Sequence, residues 1–160
     1  MRTIDEYLPD HPFFEGLDGP TLRLVAGCAT NISVHAGEYL CREGDPADRF
    51  FVVRRGRVAI EIHDPASGTL VLDTADEGDV VGWSWLVAPY RSTFDARAAE
   101  ASGVVAFDGA CLRDKCEQDS HLGYELIQRV TQVMNGRLEA AQMRLLDLYG
   151  TRGTTDAASR

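Results

Sequence analysis

The period of the apolar positions changes twice along the chain. Leu22, Leu24, Val25 and Cys28 give a partly apolar helical face. That helix starts at Pro20, where a first turn tolerates proline, and is expected to reach about Thr30. Ahead of it, Leu8-Pro9-Asp10-His11-Pro12-Phe13-Phe14 reads as a short helix broken by prolines, with its aromatics free to pack. From Ile32 a period of two takes over. Ile32 and Val34 suggest one strand and Tyr39-Leu40-Cys41 a second, with Gly37 turning between them. Arg49-Phe50-Phe51-Val52-Val53 and Arg57-Val58-Ala59-Ile60-Glu61-Ile62 flank Arg55-Gly56, and Asp64-Pro65-Ala66-Ser67-Gly68 is a hairpin loop by its turn chemistry. Leu70-Val71-Leu72 returns from it. Phe94-Asp95-Ala96-Arg97-Ala98 and Val104-Val105-Ala106-Phe107 read as later strands. Glycines at 37, 44, 56, 68, 78 and 82 keep the turns close together, which suits a small antiparallel roll.

The helical period then returns. Asp108 can cap a short helix from about Gly109 to Cys116, and Ser120 a long one that runs to about Tyr149 and stops at Gly150. Leu122, Leu126, Val130, Met134, Leu138, Ala141, Leu145 and Leu148 form one stripe along it, about 40 Å long at the usual rise per residue. The expected class is α+β and mainly β: an antiparallel, jelly-roll-like β-roll with short N-terminal helices and a long C-terminal helix. Residues 1–150 are expected to form one domain that includes helix 120–149. Residues 151–160, polar and containing glycine and threonine, are expected to be a disordered tail.

Composition narrows the function. The chain has 160 residues, a formal charge of −9 and a pI near 4.8. Lys115 is its only lysine, and no basic stripe appears, so direct DNA binding is not expected. No apolar run is long enough for a membrane span, and the first residues lack a secretory h-region, so the cytoplasm is expected. Cys28, Cys41, Cys111 and Cys116 show no C-x-x-C spacing and read as free thiols used as small apolar residues. No metal is expected: His35 and His63 lack the H-x-H spacing of a roll-type metal enzyme. A G-x-S-x-G elbow and a P-loop are also missing, so no catalytic residues are assigned and the chain is not read as an enzyme.

Three segments carry a resemblance. They are Gly37-Glu38-Tyr39-Leu40-Cys41-Arg42-Glu43-Gly44-Asp45-Pro46-Ala47, Phe50-Phe51-Val52-Val53-Arg54-Arg55-Gly56-Arg57-Val58 and Glu77-Gly78-Asp79-Val80-Val81-Gly82. With the order of elements over residues 10–149, they resemble the cyclic-nucleotide-binding domain of catabolite-activator-type regulators, kinase regulatory subunits and cyclic-nucleotide-gated channels. The resemblance implies a phosphate-binding cassette after Gly82. A short helix at Ser84-Trp85-Leu86-Val87 would offer free N–H groups, and Arg91-Ser92-Thr93 would match the arginine that holds the phosphate. Arg97-Ala98-Ala99 is a rival match for that arginine. Trp83 stands where the family has a glutamate for the ribose hydroxyl, and an indole has a donor but no acceptor. Either the ligand is not an ordinary ribose cyclic nucleotide, or it binds differently, or there is none. Trp83 and Trp85 are open to two uses, stacking on a flat ligand or packing the roll.

The resemblance therefore implies a regulatory module that senses cyclic AMP, cyclic GMP or a related anionic effector, with Gly82, Trp83, Ser84, Trp85, Leu86, Arg91, Ser92 and Thr93 around it. No cofactor is implied. In the resembling bacterial regulators the long helix is a dimer seam, so Leu126, Val130, Met134, Leu138, Ala141 and Leu145 are expected to face a second copy or another protein partner. Those regulators carry a helix-turn-helix after that helix, and none is found here, so the output is expected to pass through dimerisation or a protein partner. The alternative is a ligand-free structural or interaction protein with a degenerate cassette.

Overall fold

The run Phe50-Phe51-Val52-Val53 has no polar face because both of its faces are covered. The computed structural model describes residues 2–158. Eight strands form two four-stranded sheets: β1 (Ala29–Val34), β8 (Ser102–Asp108), β3 (Arg49–Arg55) and β6 (Val80–Val81) in one, and β2 (Tyr39–Cys41), β7 (Asp95–Ala98), β4 (Val58–Asp64) and β5 (Gly68–Ala75) in the other. Every paired neighbour runs antiparallel. β3 and β8 lie at the centre of the first sheet, with Phe50 opposite Phe107 and Val52 opposite Val105. Alternate side chains of a strand point to opposite faces. Phe51, Val53, Val104 and Ala106 therefore meet Val58, Ile60, Ala96 and Ala98 between the sheets. Phe50, Val52, Val105 and Phe107 face outward onto the helices.

On that outer face Phe50 is sandwiched. Its ring stacks on Phe107 at 4.4 Å between centroids and on Trp85 at 5.0 Å from the other side. Phe13 and Phe14 arrive from the N-terminal segment, where α1 (Ile4–Tyr7) and two 3-10 turns (Leu8–Asp10, Pro12–Phe14) lead to α2 (Gly19–Ala26). His11 locks this segment: its Nδ1 accepts from the Phe13 amide at 3.1 Å and its Nε2 donates to the Gly78 carbonyl at 2.8 Å. Leu112 of α3 (Gly109–Gln118) and Leu122, Leu126 and Val130 of α4 (Ser120–Ala158) close the layer. Each of these buried aliphatics contributes roughly 1.5–3 kcal/mol. α3 approaches so closely that a Cβ at Gly109 would lie 2.9 Å from both the Asp48 carbonyl oxygen and the Trp85 Cβ.

Seven of the eight strands fall where the periodicity places them, β6 being unforeseen, and Asp108 caps α3 by accepting from the Cys111 amide at 3.0 Å. Four local expectations change. α2 ends at Ala26, not near Thr30, because Ala29 and Thr30 already pair with Phe107 and Ala106 in β1. Asp119, not Ser120, caps α4: its carboxylate accepts from the His121 and Leu122 amides. α4 does not stop at Gly150. A glycine ends a helix by turning left-handed, and Gly150 is not among the glycines of positive φ, so the helix runs on to Ala158. Residues 159 and 160 lie outside the described residues. Finally, Cys28 and Cys111 are not free thiols. They form a disulfide that ties the end of α2 to the first turn of α3. Sequence spacing hid this pair because the Asp108 amide bonds to the Cys28 carbonyl across the fold, which sets 83 positions of chain between two neighbouring sulfurs. Cys41 and Cys116 stay free.

One ion pair is part of the sheet. Glu61 on β4 is 2% exposed, and Arg97 on β7 holds both its oxygens at 2.9 and 3.1 Å. Arg97 is itself 36% exposed at its side chain. Two outcomes are expected from this architecture. A Cys28→Ser/Cys111→Ser double variant should unfold with about 4 kcal/mol less stability in denaturant titrations, the loop-closure value for a bridge of this span. Thiol titration of the unfolded, unreduced chain should find Cys41 and Cys116 alone. Arg97→Leu should cost about 2–3 kcal/mol, below the full penalty for stranding a buried carboxylate because Arg97 is partly in water. The Glu61→Gln/Arg97→Leu double variant should recover part of that loss.

Candidate functional site

β6 is only two residues long, and Gly82 ends it at φ +95°, a left-handed conformation that favours glycine. The turn sends Trp83 and Trp85 in different directions. Trp85 goes inward onto Phe50 and is fully buried, its indole N–H without a partner among the described residues. Trp83 stays half-buried, edge-on to Phe94 at 5.7 Å. The two uses left open for these tryptophans are thus divided between them: Trp85 packs the roll and Trp83 lines a cavity.

That cavity measures about 500 Å³ and lies between the roll and the second half of α4. The roll supplies Ile60, Leu72, Asp73, Trp83, Thr93 and Phe94; the helix supplies Arg137, Ala140, Ala141, Arg144, Leu145 and Leu148. Most of this lining is apolar, with few polar groups, the usual make-up of a small-molecule site. Arg144 pairs with Asp73 at 3.5 Å. Arg137 extends its guanidinium over the Trp83 ring, 5.2 Å from the centroid, and its Nη2 donates to the Val80 carbonyl. Its Nη1 is buried with no hydrogen-bond partner among the described residues. Burial pulls the Arg137 pKa below the ordinary arginine range, with Asp73 and Asp79 acting in the opposite direction. The group still carries its charge at neutral pH.

The cassette expected after Gly82 has no helix. Leu86 and Val87 donate back to the Trp83 and Ser84 carbonyls, and Tyr90 to Val87, so residues 83–90 form successive turns. Pro89, which has no N–H and restricts the residue before it, stands where a first helical turn would continue. Trp85, held by Phe50, faces the core. Arg91 is exposed and outside the cavity, with its Nη1 on the Gly44 carbonyl at 3.1 Å. Backbone bonds from Ser92 to Asp45, Gly44 to Ser92 and Ala47 to Tyr90 fasten the two segments together. The structure thus joins Gly44–Ala47 to Tyr90–Ser92, two motifs distant in sequence, and leaves Thr93 at the cavity wall. Arg97 is committed to Glu61. Ser84 and Leu86 are half-buried beside the turn and do not line the cavity.

The helix stripe divides as well. Leu122, Leu126 and Val130 are buried against the domain's own roll, whereas Leu138, Leu145 and Leu148 are more than half exposed and Met134 is 36% exposed. Ala141, Leu145 and Leu148 roof the cavity. Arg137 and Arg144, which in the sequence look like polar residues beside an apolar face, are the charged groups that the helix brings to the cavity. Their one legible signal was their spacing of seven, two helical turns, on either side of Ala141. Among the described residues no helix is long and apolar enough to cross a membrane, and no group of three His, Cys, Asp or Glu side chains is placed to hold a metal.

Comparison with known proteins bears on the fold and the family. Among curated proteins, cyclic nucleotide-gated ion channel 18 of Arabidopsis thaliana is 32% identical over 82 residues, 49% of this chain and 12% of the channel, so the chain spans only a small part of that relative. Among solved structures, a protein described as cyclic nucleotide-binding from Geobacter metallireducens GS-15 superposes with a TM-score of 0.76 at 29% identity, over 86% of this chain and 99% of that one. A cyclic nucleotide-binding domain from Methylobacillus flagellatus (TM-score 0.76, 17% identity, 91% and 82% of the chains) shares the fold. So does the regulatory subunit of a cAMP-independent protein kinase A from Trypanosoma brucei (0.73, 19%, 89% and 50%), as a triple variant bound to cAMP. The family model for the cyclic nucleotide-binding domain matches residues 31–119, more than half of the sequence, and the chain belongs to that family.

Proposed function

We propose that the domain is a regulatory, non-catalytic module that senses a small anionic effector, a cyclic nucleotide or a related compound, in the cavity between the roll and α4. The observation that carries this reading is Arg137, a charged helix residue with one buried nitrogen unpaired at the wall of a ligand-sized cavity. A site whose donors wait unpaired gains from an anion that satisfies them. The occupant would touch both the roll and α4, so occupancy favours one position of the second half of that helix. Leu138, Leu145 and Leu146, all exposed there, then offer that position to a second copy or a protein partner. These exposed residues also favour the second reading, a ligand-free interaction module, in which the same face works without an effector.

Trp83 sets the affinity for ordinary cyclic nucleotides. It occupies the wall with an indole and offers no acceptor to a ribose hydroxyl. Calorimetric titration with cyclic AMP and cyclic GMP should give weak, saturable binding to the wild type. Arg137→Ala should remove the binding, and Arg91→Ala should leave it within about twofold. Equal affinity for the wild type and Arg137→Ala, with loss in Arg91→Ala, would move the site to the Arg91 loop. Sedimentation of Leu138→Asp/Leu145→Asp against the wild type tests the seam: a dimer that becomes a monomer is expected, and an unchanged mass would reject it.

A further inference from the structure

The cavity lining specifies the kind of anion more closely than its family does. On the reading that this cavity is the effector site, we infer that its ligand is a flat, largely apolar monoacid, an aromatic carboxylate, and not a sugar phosphate. Charge comes first. The wall holds two guanidinium groups and one carboxylate, and Arg144 and Asp73 already face each other. One positive group, Arg137, is left to meet a ligand, which suits a single negative charge. A dianion, such as a phosphate monoester, would leave one charge buried without a partner, while a cyclic nucleotide, a monoanion, is set apart by its hydrogen-bonding groups and not by charge. A second cleft of about 500 Å³ shares Arg137 and Asp73, but there Asp73 and Asp79 match Arg129 and Arg137 in number, so it holds no surplus positive charge for an anion.

Hydrogen-bonding capacity comes second. A cyclic nucleotide brings a ribose hydroxyl and base edges that lose water on entry and need partners. Apart from the Asp73–Arg144 pair and Arg137, the lining residues offer only the Thr93 hydroxyl and the Trp83 indole N–H as polar groups. The rest is aliphatic or aromatic. A ligand with many polar groups would leave several unpaired, whereas an apolar ring system leaves none. Shape comes third. Trp83 and Phe94 meet edge to face, and the Arg137 guanidinium covers the Trp83 ring. This arrangement suits an aromatic ring, whose edge or face packs on such partners. A carboxylate entering the cavity would then draw the Arg137 guanidinium from its buried position and pair with it in the geometry that guanidinium groups favour.

The test compares 2-naphthoate, its neutral amide 2-naphthamide and cyclic AMP by calorimetry on the full chain, with amide hydrogen exchange across α4 as a second readout. The expected result is saturable 2-naphthoate binding, at least tenfold tighter than 2-naphthamide and than cyclic AMP. Arg137→Gln should lose it, and Ala141→Trp, which fills the cavity from the exposed helix side, should lose it too while melting as the wild type does. The second variant decides the matter if Arg137→Gln fails to fold. Equal binding of the acid and the amide would overturn the carboxylate assignment. Binding of cyclic AMP without 2-naphthoate would overturn the inference and leave the effector-site reading intact. If no probe binds or changes exchange in α4, both fail, and the ligand-free module takes their place.

Discussion

The Phe50 sandwich organises the domain. Stacked between Phe107 and Trp85, Phe50 joins the central strands of the first sheet to the turn that follows β6, while its neighbours Phe51 and Val53 point the other way into the space between the sheets. A strand covered on both faces has its register fixed, since a slip by one residue would exchange the two cores. It also fixes what surrounds it. Trp85 is pinned inward, so Trp83, two residues earlier and across a left-handed glycine, comes to the cavity wall. On the same outer face Leu122, Leu126 and Val130 clamp the first half of α4.

A helix held at one end and exposed at the other suits a sensor. The first half of α4 shares the aromatic core and cannot move without opening it. The second half rests on a cavity and on the reach of Arg137 and Arg144 toward β5 and β6. Regions with few buried apolar contacts open at lower free energy than the core does, so on the proposed reading a ligand of modest affinity would suffice to bias that half. The Cys28–Cys111 bridge strengthens the fixed end, because it ties α3, from which α4 emerges, to the N-terminal segment. The division between a rigid and a responsive half follows from where the apolar side chains are spent.

Much of the fold was legible in the sequence, and the reasons are local. Period-two runs, the glycine turns and the Asp108 cap act within a few residues of themselves, so α3 and every strand but the two-residue β6 fall where expected. What the sequence misled on is non-local. Ser84-Trp85-Leu86-Val87 has the composition of a helix start, yet Trp85 is captured by Phe50, more than thirty positions away in the chain. Arg91 has the right type and nearly the right place for an anion contact, but the backbone pairing of Tyr90–Ser92 with Gly44–Ala47 directs it to the Gly44 carbonyl. Arg137 looked like surface charge on a helix, and only the sheet opposite shows that one of its nitrogens is stranded. Cys28 and Cys111 became partners through the same kind of distant contact.

The central claim is that occupancy of the roll–helix cavity governs the second half of α4. The most direct measurement is amide hydrogen exchange along α4, with and without saturating 2-naphthoate or cyclic AMP. The account expects exchange to slow over residues 134–148 and at Thr93 and Phe94, with residues 122–130 unchanged because the aromatic core already protects them. Ligand binding that leaves residues 134–148 unaltered, or that slows exchange only around Arg91 and Gly44, would contradict it.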